Sequence, residues 1–80
     1  MLIGVVGLGL IGGSIAKGYH AAGHTVYAWN RTASTLGFAL ISGDVDAELN
    51  ENNVSECDLI FVSLYPEASI EWVRKMAPYF

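Results

Sequence analysis

The spacing of apolar residues alternates along the chain between strand-like and helix-like patterns. Leu2–Val6 is a short run of apolar residues in which apolar and polar positions do not alternate. Such a run is typical of a strand in a parallel sheet whose two faces are both covered by other elements. A helix with one apolar face is predicted next, and it ends at Gly23. Its predicted face consists of Ile11, Ile15, Tyr19 and Ala22.

A second strand and a second helix follow with the same order. Residues 24–29 are rich in β-branched and aromatic side chains, which favours a strand. A weaker helical pattern with Leu36, Ala39 and Leu40 ends at Gly43. The acidic, Asn-rich residues 44–53 predict a loop, with a short edge strand at residues 45–47.

The third unit has the most hydrophobic strand of the chain. Residues 58–64 lack alternation, so we expect this strand in the centre of the sheet. Pro66 and Glu67 suit the first turn of a helix that ends near Pro78. Ile70, Val73 and Ala77 form its predicted inward face, which Trp72 and Met76 widen. This alternation predicts an α/β fold with parallel strands joined by right-handed crossovers, one half of a doubly wound sheet.

We expect residues 1–80 to form a single domain that is the N-terminal portion of a longer enzyme. The most hydrophobic strand and an apolar helix come at the end of the chain, and a sheet that stopped there would expose a hydrophobic edge. The substrate-binding and dimerisation domain would then lie outside these residues. The open edge also predicts self-association or a homodimer.

Composition narrows the classes of function. The chain has 4 Lys+Arg against 8 Asp+Glu and a formal net charge of −4, so it offers no basic stripe for nucleic acid. No segment approaches the roughly 20 apolar residues of a membrane span, and no signal peptide precedes the first strand, so we expect a cytoplasmic protein. Cys57 is the only cysteine, and no metal-ligand spacing or Ser/His/Asp set is present, so no catalytic residue is predicted.

A glycine motif follows the first strand and carries the clearest chemistry. Gly7, Gly9 and Gly12 form G-x-G-x-x-G where a strand gives way to a helix, which is the context of a dinucleotide-binding Rossmann-type fold. The three glycines would allow a tight turn, close approach of a pyrophosphate and close helix packing, respectively. The predicted cofactor loop is Gly7, Leu8, Gly9, Leu10, Ile11 and Gly12. The alternative is a glycine-rich turn without a ligand.

Two interpretations of Ser14 are retained. Its hydroxyl could reach a phosphate near the start of the helix, or the residue could serve as a small packing position.

The end of the second strand bears on the choice of cofactor. NAD-binding domains commonly have an acidic residue here that binds the ribose hydroxyls, whereas this chain has Asn30, Arg31 and Thr32. Without the carboxylate, a 2′-phosphate is not repelled, and the Arg31 guanidinium can bind it. We therefore predict NADP, with NAD as the alternative if Arg31 is only solvated and Thr32 only caps a helix.

The end of the third strand pattern is a further candidate. Ser63, Leu64, Tyr65 and Pro66 come at the carboxyl side of the sheet, where such folds bind ligands. These four residues are predicted to line the nicotinamide end of the cofactor site. The alternative is a strand-to-helix turn that makes no contact with a ligand.

The motif also carries a resemblance to a known family. G-L-G-L-I-G-G-S at residues 7–14, with Ala16 and Gly23-His24 after it, resembles the start of the prephenate and arogenate dehydrogenases. The resemblance implies oxidative decarboxylation of prephenate or arogenate in the biosynthesis of tyrosine, an aromatic amino acid, with hydride transfer to a nicotinamide. In that family the catalytic histidine and the substrate-binding arginine lie further along the chain.

Two other classes of function are retained. Asn30-Arg31-Thr32 is similar to the 3-hydroxyisobutyrate and 6-phosphogluconate dehydrogenases, where an Asn-Arg pair accompanies NADP, although those enzymes usually have Met at the position of Ile11. A non-catalytic nucleotide-sensing module would use the same half-sheet, and a structural remnant would bind nothing. A small-molecule substrate is a predicted partner only for the enzymes.

Overall fold

A computed structural model describes residues 1–80 and contains a four-stranded parallel sheet with helices on both faces. The strands are β1 (Leu2–Val6), β2 (Thr25–Trp29), β3 (Ala47–Glu48) and β4 (Leu59–Val62). The helices are α1 (Leu10–Ala21), α2 (Ala33–Ser42) and α3 (Pro66–Met76), with single 3₁₀ turns at Val54–Glu56 and Ala77–Tyr79. The strand order β3-β2-β1-β4 confirms the predicted doubly wound, Rossmann-like α/β class.

The register of the sheet places three loops side by side. Val6 at the end of β1 is aligned with Trp29 of β2 and with Val62 of β4. The carboxyl ends of these strands are therefore level, and the loops that follow them meet along one edge.

Two apolar layers bury the sheet. Ile3 and Val5 of β1 pack with Ala16 of α1 and Leu36 of α2 on one face. Val6 packs with Trp72 and Met76 of α3 on the other face. The central strand β1 is thus covered on both sides, as its unalternating apolar sequence predicted.

Both predicted helix endings at glycine are confirmed. Gly23 and Gly43 have φ of 91° and 82°, in the left-handed region that favours glycine. After α1, the amide of His24 donates to the carbonyl of Tyr19 at 3.1 Å, and the amide of Gly23 donates to the carbonyl of His20 at 3.0 Å. This pair of bonds is a Schellman motif, which satisfies carbonyls at the end of the helix.

The predicted inward face of α1 is partly wrong. Ile11 is 70% exposed and Ala22 is also exposed, whereas Gly12 and Ala16 are buried and Ile15 and Tyr19 are half-buried. The helix is rotated because Gly12 lies directly against the turn at Gly7, a contact that helical spacing of apolar residues does not reveal.

The predicted inward face of α3 is also partly wrong. Trp72 and Met76 are buried, while Ile70 and Val73 are 54% and 40% exposed and Ala77 is exposed. The indole and the thioether supply the larger apolar area for the second layer, so the helix turns this side to the sheet.

The third predicted strand is shorter than expected and lies elsewhere in the sheet. It spans Leu59–Val62 rather than residues 58–64, and it is an edge strand that pairs only with β1. Leu59 and Val62 are 40% and 37% exposed, since no strand of residues 1–80 lies beyond β4. Within residues 1–80 this strand therefore lies at the edge of the sheet and not in its centre. The predicted edge strand near residue 46 is present as β3, shifted to Ala47–Glu48.

Cys57 lies two residues before β4, half-buried against the second apolar layer. Burial raises the pKa of its thiol above the ordinary value of 9.0, and the carboxylates of Asp58 and Glu56 act in the same direction. The thiol therefore stays protonated and weakly nucleophilic at neutral pH.

Among the helices, none combines the length and apolar character that crossing a membrane would require.

Candidate dinucleotide-binding site

The glycine turn after β1 is the centre of the candidate site. Gly7 has a φ of 94°, and a Cβ atom at this position would overlap the carbonyl of Ser63 and lie 2.8 Å from the Leu64 side chain. A Cβ at Gly12 would overlap the carbonyl of Gly7. These two positions thus require glycine for the fold itself, because backbone from two other segments occupies the space of a side chain.

Gly9 differs from its two neighbours in the motif. Its φ of −68° is open to any L-residue, and a Cβ there would meet nothing within 4 Å. The packing of the chain therefore gives no steric reason for glycine at this position. A ligand that approaches the backbone closely supplies one.

The first turn of α1 offers unpaired hydrogen-bond donors beside Gly9. No hydrogen bond within the chain uses the amides of Leu10, Ile11 or Gly12, and no side chain caps the helix. Their N–H groups and the positive end of the helix dipole suit a pyrophosphate. The side chains of Leu10 and Ile11 are 91% and 70% exposed at the rim of this turn.

Ser14 uses its hydroxyl within the helix. Its Oγ donates to the carbonyl of Leu10 at 2.9 Å, so the proton is already engaged one turn back along α1. This contact supports the reading of Ser14 as a packing position rather than a phosphate ligand.

The loop after β2 is tied to the glycine turn by Asn30. The side-chain oxygen Oδ1 accepts from the amide of Leu8 at 2.8 Å, and the side-chain nitrogen Nδ2 donates to the carbonyl of Thr32 at 3.1 Å. The two partners fix the orientation of the amide, because an N–H can only donate and a carbonyl can only accept. One lone pair and one proton of Asn30 remain free for a ligand.

Arg31 and Thr32 form the exposed part of the same loop. Arg31 makes no ion pair in the structure, and Thr32 is the N-cap residue of α2 without a side-chain capping bond. The amides of Ala33 and Ser34 have no partner within the chain. A guanidinium, a hydroxyl and free amides thus lie beside the glycine turn, and residues 30–32 contribute no carboxylate.

The predicted segment after β4 lies against the glycine turn. The amide of Ser63 donates to the carbonyl of Val6 at 2.7 Å, which extends the pairing of β4 with β1. Tyr65 is 88% exposed, and Pro66 is the first residue of α3. The structure therefore brings all three predicted groups of residues to one edge of the sheet, and each of them follows a different strand.

A cleft of about 480 Å³ opens beside this edge, and most of its residues were missed in the sequence. Arg31 and Leu64 belong to both the predicted site and the cleft. The apolar part of the lining is Trp29, Leu49, Leu64, Ala68, Trp72 and Met76. Trp29 directly precedes Asn30, so its position at the end of β2 was the signal that could have identified it.

The charged side chains of the cleft are of both signs. Glu48, Glu51 and Glu71 line it together with Arg31 and Lys75. An aromatic and aliphatic floor with carboxylates at its rim suits a planar base that carries an amino group. Phosphates are better placed at the amides of α1 and at Arg31.

Fold and site together define the class of this protein as a nicotinamide dinucleotide-binding α/β domain. The open backbone at Gly9, the free amides of α1 and the apolar cleft next to Arg31 all fit such a cofactor. Residues 2–77 match the family model described as the NAD binding domain of 6-phosphogluconate dehydrogenase, and the chain belongs to this family.

Curated relatives include the cytokine-like nuclear factor N-PAC of several vertebrates. The mouse protein is 46% identical over 59 residues, which are 74% of this chain and 10% of that protein. The human protein is 39% identical over 59 residues, which are 74% of this chain and 11% of that protein. The chain thus spans about a tenth of the length of these relatives.

Two solved structures share the fold over nearly the whole chain. Arogenate dehydrogenase of Synechocystis superposes with a TM-score of 0.89 at 31% identity, over 99% of this chain and 29% of that enzyme. Imine reductase of Streptomyces aurantiacus superposes with a TM-score of 0.81 at 27% identity, over 99% of this chain and 28% of that enzyme. The comparisons show a dehydrogenase-type NAD-binding domain and leave prephenate dehydrogenase itself as one specific alternative within that class.

Proposed function

We propose that this domain binds NADP(H) in preference to NAD(H). The observation that carries the proposal is Arg31, an exposed guanidinium without an ion pair, next to the uncapped start of α2. A 2′-phosphate placed there would meet the guanidinium, the Thr32 hydroxyl and the free amides of Ala33 and Ser34. No carboxylate within residues 30–32 opposes it.

The cofactor would extend along the carboxyl edge of the sheet. Its pyrophosphate would lie at Gly9 and the first turn of α1, where backbone donors are free. Its adenine would occupy the cleft between Arg31 and α3, where Glu71 can accept from the 6-amino group. Ser63 to Pro66 would face the nicotinamide end. Bound nicotinamide supplies the hydride chemistry, while the residues of this domain supply position and exclude water.

For the full-length protein we propose a cytoplasmic dehydrogenase that acts on a small-molecule substrate, with these 80 residues as its N-terminal nucleotide-binding portion. Likeness to arogenate dehydrogenase over 99% of the chain supports prephenate or arogenate as substrate. The family model and the run Asn30-Arg31-Thr32 support a second candidate, a 6-phosphogluconate or 3-hydroxyisobutyrate type of dehydrogenase. The open edge of β4, where Leu59 and Val62 are exposed, supports self-association, which sedimentation velocity measures.

The cofactor proposal is tested by replacing Arg31 with alanine. We expect Arg31→Ala to weaken NADPH binding about tenfold to a hundredfold, because a charge-assisted hydrogen bond contributes about 1.5–3 kcal/mol. NADH binding should change less than about threefold, since that cofactor lacks the 2′-phosphate. Calorimetric titration of the full-length protein with both cofactors measures the two affinities.

Arg74→Ala is the matched control for this experiment. Arg74 is an exposed arginine on α3 that makes no ion pair and does not line the cleft. It should leave both affinities unchanged. Equal affinities for NADPH and NADH in the unmodified protein, unaltered by Arg31→Ala, would refute the proposed preference for NADP.

The substrate is tested in a separate assay. We expect reduction of NADP⁺ by the full-length protein with prephenate or arogenate, followed by absorbance of the reduced nicotinamide. Turnover of 6-phosphogluconate or 3-hydroxyisobutyrate alone would instead establish the second candidate. Tight cofactor binding without turnover of any of the four would favour a nucleotide-sensing module.

A further inference from the structure

We propose that Asn30 is a positioning residue that couples the pyrophosphate loop to the 2′-phosphate loop, so that it affects the binding of both cofactors. This inference rests on the proposed dinucleotide binding. It assigns to Asn30 a purpose other than direct contact with the cofactor.

No other side chain hydrogen-bonds to both of the segments that Asn30 joins. Its Oδ1 accepts from the Leu8 amide at 2.8 Å, within the glycine turn. Its Nδ2 donates to the Thr32 carbonyl at 3.1 Å, at the cap of α2. Leu8 and Thr32 flank the two groups of free donors, at the starts of α1 and α2.

A side chain that joins the Leu8 amide to the Thr32 carbonyl must both accept and donate a hydrogen bond, and the amide of Asn30 does both. An aspartate of nearly the same shape would accept from the Leu8 amide but could not donate to the Thr32 carbonyl, and its charge would repel that oxygen and any nearby phosphate. An alanine would leave the half-buried Leu8 amide without its partner. Asn30 can therefore hold both loops and admit a 2′-phosphate at the same time.

The test compares Asn30→Ala and Asn30→Asp with Arg31→Ala by calorimetric titration of the full-length protein. Asn30→Ala should weaken NADH about tenfold and NADPH several times more than that, because the pyrophosphate loop serves both cofactors and the 2′-phosphate loop serves NADPH alone. Asn30→Asp should keep NADH affinity within about threefold, because the carboxylate still accepts from the Leu8 amide, and weaken NADPH more than tenfold, because its charge repels the 2′-phosphate. Arg31→Ala should weaken only NADPH.

A double-mutant cycle separates positioning from direct contact. If Asn30 acts partly through the placement of Arg31, Asn30→Ala should weaken NADPH binding less in the Arg31→Ala background than in the unmodified protein. Additive losses for NADPH would indicate independent contacts and overturn the proposal. So would a loss for NADPH alone with Asn30→Ala.

Amide hydrogen exchange provides a readout that does not depend on any cofactor. Asn30→Ala should accelerate exchange at Leu8 about tenfold and leave the core strand β1 unchanged. Asn52→Ala is the control, because the exposed Asn52 side chain makes no hydrogen bond in the structure. Unchanged exchange at Leu8 would overturn the bridge. A protein that binds neither dinucleotide but shows this acceleration would refute the proposed function and leave the bridge intact.

Discussion

Replacing Gly12 by alanine is expected to destabilise the domain by about 3 kcal/mol, the upper end of the usual range for overpacking. The added Cβ would overlap the carbonyl of Gly7, a residue whose amide donates to the carbonyl of Trp29 at 2.7 Å and whose Cα lies against the backbone of Ser63. The overlap cannot be relieved by rotation of a flexible side chain, because the atoms that the new Cβ would meet first belong to the backbone of Gly7. A domain of this size has a total stability of only about 4–12 kcal/mol. The midpoint of thermal unfolding, followed by circular dichroism, should fall by more than about 10 °C.

Gly18→Ala is the matched control on the same helix. Gly18 is exposed, its φ is not in the left-handed region, and a Cβ there would meet nothing within 4 Å. Alanine at this position should raise stability by about 0.5–1 kcal/mol, because glycine is the poorer helix former. Equal melting temperatures for the two variants would show that α1 does not approach the turn at Gly7 as closely as the structure indicates.

Replacing Gly9 by alanine should abolish dinucleotide binding while the fold remains intact. The Gly9 backbone adopts an ordinary extended conformation, and the space that a Cβ would fill is open in the chain. Gly9 is the N-cap residue of α1, where alanine is poorer than glycine by about 0.5–1 kcal/mol, so we expect the melting temperature to fall by only about 2–8 °C. The same methyl group would stand where the pyrophosphate approaches, so affinity should fall by a hundredfold or more, about 2.7 kcal/mol.

The chain provides its own probe for this measurement. Its two tryptophans, Trp29 and Trp72, both line the cleft. Quenching of their fluorescence on titration with NADPH therefore reports binding without a label. Gly18→Ala, on the same helix, should retain full quenching. Normal affinity in Gly9→Ala would mean that no ligand approaches this backbone, and the glycine turn would then be purely structural.

These two predictions divide the glycine motif by physical cause. A Cβ at Gly12 would overlap the backbone of the chain itself, whereas a Cβ at Gly9 would meet no atom of the chain within 4 Å. The pattern G-x-G-x-x-G does not distinguish the two, since both appear as glycine in the sequence. Only the built backbone shows which position is filled by the protein and which is left for a ligand.

The sequence by itself determined the type and order of the elements and the location of the candidate site. Apolar runs, glycine helix endings and Pro66 are local signals, and each acts within a few residues of where it is read. Placing three loops at one edge also followed from the sequence, because parallel strands end on the same side. The assignment to a dehydrogenase-type nucleotide-binding domain and the choice of Asn30, Arg31 and Thr32 as candidates needed no coordinates.

The tertiary structure decided the features that depend on distant contacts. The rotation of α1 follows from Gly12 against Gly7, and that of α3 from Trp72 in the second layer. The place of β4 beside β1, on the side away from β2, depends on which strands pair, and the apolar composition of β4 cannot reveal this. The amide of Asn30 bridges to Leu8, 22 residues away, only because β1 and β2 are neighbours. Packing and pairing join residues far apart in sequence, so local patterns could not supply them.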